Sequence, residues 1–194
     1  MTQARMEKLK WVLDRRQPSL TVVLENVFDP HNVSAVLRTC DAVGVGEVYV
    51  LNTRMPPHKF IGAKSSSSAY KWVTVHQFTD ADACFAAVRS RYTRILTTQL
   101  ATHAASLYEI NLVEPVVLVF GNEHSGVSEA VLRYADGNFV VPQVGIIQSL
   151  NISVACAVTL YEAFRQKSAA GHYNQPQLPG EAYQMLNKQW GLYE

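Results

Sequence analysis

The sequence is poor in cysteine and pairs none of it. Cys40, Cys84 and Cys156 are odd in number and never spaced as C-x-x-C, which argues against a disulfide framework and a cysteine zinc site. They read as small buried hydrophobes in a reducing compartment. No run approaches the roughly 18 apolar residues that a membrane-crossing helix needs. Nor is there an excess of charge, with 17 Lys and Arg against 16 Asp and Glu in 194 residues. Any contact with nucleic acid must therefore come from a local patch. The opening MTQARMEKLKWVLDRR mixes charge throughout and has no apolar signal core, so a cytoplasmic place is expected. The glycine fingerprints G-x-G-x-x-G and G-x-x-x-x-G-K-[ST] are absent, as is the hydrolase elbow G-x-S-x-G. Six histidines show no H-E-x-x-H spacing, and no metal is expected.

What is present is a rhythm of short apolar runs and helical patterns. Residues 20–25, 47–51, 72–78, 94–100, 115–121 and 138–142 read as strands. Between them Asp29-Pro30 opens a helix with Val33, Val36, Leu37, Cys40 and Val43 on one face, ended at Gly44 or Gly46. Helices also fit Asp80–Tyr92, Ser128–Tyr134 and Asn151–Gln166. Apolar strands alternating with helices predict an α/β fold: a mostly parallel sheet with helices on both faces. The length suits one domain spanning 1–194. The 151–166 helix is apolar on nearly every side, which predicts one face on the sheet and another on a second subunit.

The two ends differ from this middle. Residues 3–16 read as an amphipathic helix with Met6, Leu9, Trp11 and Leu13 among charges. Its five cations (Arg5, Lys8, Lys10, Arg15, Arg16) face only Glu7 and Asp14, so positive charge concentrates here. That predicts a phosphate-contacting arm using Lys8, Arg15 and Arg16. The tail 168–194 is rich in Gly, Pro, Gln and Asn, yet its Tyr173, Leu178, Tyr183, Met185, Leu186, Trp190 and Leu192 predict that it docks. Ser65–Ser68 is the one low-complexity patch.

Three segments place polar residues at strand–helix junctions, where open α/β sheets bind ligands. HNVSAVLRTCDAVG (31–44) carries Asn32 and Arg38. LVFGNEHSGVSE (118–129) ends a strand in Gly-Asn-Glu before a Ser-Gly turn. VPQVGIIQSLNISVA (141–155) leads through a Gly loop into Ser149-Leu150-Asn151, where Ser149 or Asn151 also suits a helix cap.

In this order the three segments resemble the motifs of the SpoU (SPOUT) RNA 2′-O-ribose methyltransferases. The stretch 15–48, with its Arg-Arg-Gln-Pro lead-in, is most similar to the branch that methylates a tRNA guanosine. The resemblance implies a deep C-terminal trefoil knot, a homodimer, and S-adenosylmethionine held largely by backbone groups. It carries the cofactor site onto Thr98, Gly121, Val141 and Leu150. It carries the catalytic machinery onto Arg38, Asn32, Glu123, Ser149 and Asn151, with Arg38 also touching RNA. A guanidinium does not readily give up its proton, so Arg38 is expected to hold a phosphate and the forming alkoxide rather than act as base. The implied reaction is methyl transfer to a ribose 2′-hydroxyl, with the D-loop guanosine of tRNA as target. The same chemistry on ribosomal RNA or a wobble nucleotide, and a non-catalytic RNA-binding dimer, are the competing readings. A nicotinamide oxidoreductase fits the α/β rhythm but not the missing glycine fingerprint.

Overall fold

A computed structural model describes residues 1–58, 69–99, 104–147 and 149–192. The Ser65–Ser68 patch and Leu100, the last residue of one expected strand, lie outside the described residues. Among the described residues, seven strands form one sheet: β1 (Leu20–Glu25), β2 (Glu47–Leu51), β3 (Thr74–Phe78), β4 (Arg94–Thr98), β5 (Ala105–Ser106), β6 (Val116–Phe120) and β7 (Gly137–Val140). Their order across the sheet is β3-β2-β1-β6-β4-β7-β5, and every pairing is parallel. The expected parallel α/β architecture is what the backbone adopts.

Alternation along the strands splits the core in two. Leu20, Val22, Leu24, Val48, Val50, Val116 and Leu118 point to the face covered by α2 (Pro30–Ala42) and α5 (Ile152–Ala169). Val23, Tyr49, Leu51, Ile95, Val117 and Val119 point to the opposite face, under α3 (Ala81–Arg89) and α4 (Glu129–Leu132). Burying a strand on both faces is what makes its sequence a continuous apolar run. Cys40 and Cys156 lie in the first core and Cys84 in the second. Burial raises all three thiols, Cys84 to about 12, so none is poised as a nucleophile.

The helices start where the sequence caps them. Asp29 accepts from the His31 N–H at 2.8 Å with Pro30 next, and Asp80 accepts from Ala83 at 2.8 Å. α2 ends at Gly44, whose φ of +86° suits glycine. A Cβ there would lie 2.4 Å from the Arg15 carbonyl oxygen. That close approach lets the Gln17 N–H bond the Gly44 carbonyl at 2.8 Å, tying the entry of β1 to the end of α2.

Both termini pack together, beside the β3 border of the sheet. α1 (Gln3–Leu13) buries Leu9 and Leu13 against Trp190, with Trp72, Leu178, Tyr183 and Leu186 around them. The tail docks as expected, but it does so through a helix the sequence rhythm did not announce, α6 (Gly180–Gln189). Two expectations for α1 are corrected. Trp11 is 51% exposed, because Leu9 and Leu13 share a face four residues apart and Trp11 lies between them on the other side. Arg16, expected on RNA phosphates, is only 1% exposed. Its guanidinium donates to the Asp41 carboxylate (2.9 Å), the Trp72 carbonyl (2.9 Å) and the Val45 carbonyl (3.3 Å), and lies over the Trp190 ring. Burial lowers its pKa and Asp41 pushes it back up.

Candidate active site

The C-terminal ends of β6, β4 and β7 open into a cavity of about 460 Å³, within the range of small-ligand sites. Its floor is apolar, with Phe120, Phe139, Ile152 and Ala155. Six residues predicted from the sequence line it: Thr98, Gly121, Glu123, Val141, Ser149 and Leu150. Thr98 donates its hydroxyl to the Val119 carbonyl at 3.2 Å, fixing one strand end against the next. Gly121 has no room for a side chain. A Cβ there would sit 2.1 Å from the Gly126 carbonyl carbon and 2.2 Å from the Val127 nitrogen.

That approach closes a tight turn. Asn122 and Gly126 exchange two backbone hydrogen bonds of 2.9 Å. The Asn122 side chain accepts from the His124 N–H (2.9 Å) and the Ser125 N–H (3.2 Å), and donates to the Asn26 carbonyl (2.8 Å). Asn26 itself has a φ of +50°, a left-handed turn that Asn tolerates at the end of β1. One residue earlier the buried Glu25 accepts from the Ser128 N–H at 2.9 Å, holding the start of α4. Sequence reasoning missed Glu25, Asn26 and Asn122. Polar residues directly after apolar strands were the available signal.

Three polar side chains from separate segments join at the rim. Asn32, in the first turn of α2, donates to Glu123 at 3.0 Å. Asn151 donates to the side-chain oxygen (Oδ1) of Asn32 at 3.2 Å. Asn151 is also the cap of α5, accepting from the Ser153 N–H (2.9 Å) and hydroxyl (2.6 Å). The cap reading and the site reading of Asn151 therefore hold together, one through each end of its amide. Asn122 reaches the other Glu123 oxygen at 3.4 Å.

Arg38 is not brought to this rim. It lies on the exposed side of α2, beside Ala35, Thr39, Ala42 and Tyr161 of α5, and makes no hydrogen bond or ion pair among the described residues. Six residues separate it from Asn32, roughly 9 Å along the helix and well round its axis. The same α2–α5 surface exposes Val154 (47%) and Tyr161 (54%), and the loop before α5 exposes Val144, Ile146 and Ile147. Arg15 is half-buried, bonded to the Trp11 carbonyl at 3.1 Å, and Lys8 is exposed. Among the described residues no cluster of His, Cys, Asp and Glu suits a metal ion.

Residues 19–161 match the model of the SpoU rRNA Methylase family. The chain is 43% identical over 189 residues to a tRNA (guanosine(18)-2′-O)-methyltransferase of Thermus thermophilus, covering 97% of this chain and 96% of that one. It is 39% identical over 173 residues to the Escherichia coli enzyme of the same name, covering 89% and 75%. Its backbone is similar to the crystal structure of the Aquifex aeolicus TrmH/SpoU tRNA modifying enzyme, with a TM-score of 0.88, 36% identity, and 97% and 95% of the two chains covered.

Proposed function

The chain belongs to the SpoU methylase family, and we propose that it transfers a methyl group from S-adenosylmethionine to the ribose 2′-hydroxyl of guanosine 18, in the D-loop of tRNA. The observation that carries this is the Glu123–Asn32–Asn151 chain, which unites three distant segments at the rim of one cavity. The names of the Thermus and Escherichia relatives support the target.

The cavity suits the cofactor. Phe120, Val141, Leu150 and Ile152 offer an apolar wall for a flat ring, and Gly121 lets a ligand approach the backbone. Among the described lining residues there is no Lys or Arg, and Glu123 is the one carboxylate, so the local field favours a cation. Bound there, S-adenosylmethionine supplies a methyl group on a positively charged sulfur. Thr98, Gly121, Val141 and Leu150 would hold it. Glu123 contributes negative charge, and Asn32 and Asn151 keep that carboxylate in place. Ser149 stands in the same wall, where its hydroxyl suits the ribose.

We assign Arg38 to the RNA phosphate and to the charge that develops on the 2′-oxygen. Its distance from the rim within one chain is resolved by a second copy. Val144, Ile146, Ile147, Val154 and Tyr161 are exposed apolar groups that a homodimer face would cover. Arg38 borders that face through Tyr161, and the cavity borders it through Leu150. A two-fold dimer would therefore carry Arg38 of one copy toward the cavity of the other. A C-terminal trefoil knot, which the family resemblance implies, belongs to the same reading. A tRNA substrate and three buried thiols fit a cytoplasmic enzyme.

The test is labelled methyl transfer to an unmodified tRNA transcript and to one carrying 2′-deoxyguanosine at position 18. Signal on the first and none on the second is expected. Equal signal moves the methylated site to another nucleotide. No signal on either, nor on ribosomal RNA, leaves a non-catalytic RNA-binding protein and overturns the proposal.

A further inference from the structure

The exposed face of α1 carries an aromatic ring that the catalytic reading does not use. Trp11 is 51% exposed, while its helix neighbours Leu9 and Leu13 anchor α1 to the protein. Two cations lie against its ring: the Lys8 ammonium at 4.6 Å from the centroid and the Arg15 guanidinium at 4.2 Å. These are positions i−3 and i+4, the two turns that flank Trp11 on its own side of the helix. The acids of α1 are engaged elsewhere. Glu7 accepts from Gln3 at 2.9 Å, and Asp14 is held by Lys10 at 3.3 Å and the Tyr183 hydroxyl at 2.6 Å. Lys8 has no hydrogen bond or ion pair among the described residues.

A large flat ring, held in water between two cations without matching anions, suits one ligand chemistry well. Nucleobases stack on aromatic faces, and each base brings phosphates that take up neighbouring cations. We propose that Trp11 is a stacking platform for an unpaired nucleobase of the RNA substrate, with Lys8 and Arg15 binding the phosphates on either side. Arg15 is bonded to the Trp11 carbonyl, so it stays and steadies the indole. Lys8 is free to leave the ring as the base arrives. Pre-setting the ring lowers the ordering cost of the contact. The platform sits by the β3 border, on a helix packed against Trp72 and Trp190, whereas the cavity opens over β6, β4 and β7. It therefore contributes to holding the RNA and not to the methyl transfer step. This rests on reading the chain as a tRNA-modifying enzyme.

The test titrates an unmodified tRNA transcript against wild type, Trp11→Ala, Trp11→Phe and Lys8→Gln, following binding, methyl transfer and tryptophan emission. Trp11→Ala is expected to raise Kd and KM about tenfold with kcat unchanged. Trp11→Phe retains most of the affinity. RNA quenches the emission of wild type but not of Trp11→Phe, which keeps Trp72 and Trp190. Lys8→Gln lowers the slope of log affinity against log salt by about one, whereas Trp11→Ala leaves that slope in place. All four proteins should unfold at the same temperature, because the substituted groups are exposed. If Trp11→Ala binds and methylates like wild type, the platform is wrong and the methyltransferase reading stands. If wild type binds tRNA with this Trp11 dependence but transfers no methyl group to any RNA, the platform stands and the proposed activity falls.

Discussion

The borders of the sheet use the same residue types to different ends. Beside β3, the lobe of α1 and α6 buries Arg16 among the carbonyls of Val45 and Trp72, the Asp41 carboxylate and the Trp190 ring. Toward β7, the strands stop at a cavity whose polar rim is held by short amides and one carboxylate, and Arg38 stands apart from that rim, in solvent on α2. A buried guanidinium needs every available acceptor, so the lobe spends its polar groups on stability. An exposed one keeps its fork of donors for a ligand. The difference predicts that arginine replacements separate cleanly: loss of activity at the exposed Arg38, loss of stability at the buried Arg16.

The sharpest case is Arg38→Ala. It should lower methyl transfer by about a thousandfold, the upper range for losing a group that stabilises transition-state charge. Cofactor affinity by calorimetry and the thermal midpoint should stay near wild type, because Arg38 makes no hydrogen bond or ion pair among the described residues. Near-normal turnover would remove Arg38 from the mechanism.

Arg16→Ala comes next and acts on the other quantity. Breaking a buried ion pair costs about 3–5 kcal/mol, and Asp41 keeps 33% exposure, so about 3 kcal/mol is expected from urea unfolding. Arg16→Met, which keeps much of the buried stem, should lose less. The salt dependence of RNA binding should not change in either variant, measured well below the unfolding transition. A reduced salt slope with full stability would return Arg16 to the RNA surface and erase the contrast between the two arginines.

Gly121→Ala probes the cavity wall itself. The added methyl meets backbone at 2.1 Å, where no flexible side chain can yield. Opening the 122–126 turn should cost about 2 kcal/mol, in the range for overpacked sites, and weaken S-adenosylmethionine binding by at least about tenfold. Wild-type affinity in a titration would mean that the turn does not shape the site.

Which of these features the sequence betrayed follows from how local their causes are. Six strands and α2, α3 and α5 follow from period and caps and appear close to the expected bounds, whereas β5, two residues long, is too short to show a period and was not expected. The cavity residues Thr98, Gly121, Glu123, Val141, Ser149 and Leu150 were reached through the resemblance of their segments to the family's motifs; strand–helix junctions alone pointed to the segments and not to the residues. Arg16 was misread because its burial depends on Val45, Asp41 and Trp72, which lie 25 to 56 residues away. Trp11 was placed with Leu9 and Leu13 by hydropathy alone, although helical geometry sets it on the other side. α6 was missed because a Gly-Pro-rich tail hides a helix that is stabilised by packing on α1. The Asn122 side chain acts through the backbone carbonyl of Asn26, and no spacing rule links positions 96 residues apart.

Arg15 and Arg16, neighbours in sequence, provide the finest version of the comparison. Arg15 spends one bond on the Trp11 carbonyl and keeps the rest of its fork available. Removing one phosphate-binding charge lowers the salt slope by about 0.7 to 0.9, the counterions released per contact. Arg15→Gln should show that fall together with a few-fold weaker hold on tRNA at moderate salt. Its unfolding free energy should move by less than about 0.5 kcal/mol, as for surface substitutions generally. Measured beside Arg16→Ala, the pair would show two adjacent arginines with opposite signatures, one in salt dependence and one in stability. If Arg15→Gln instead destabilises the protein and leaves the salt series untouched, the end of α1 is structural at both positions, and the RNA-facing surface must lie elsewhere.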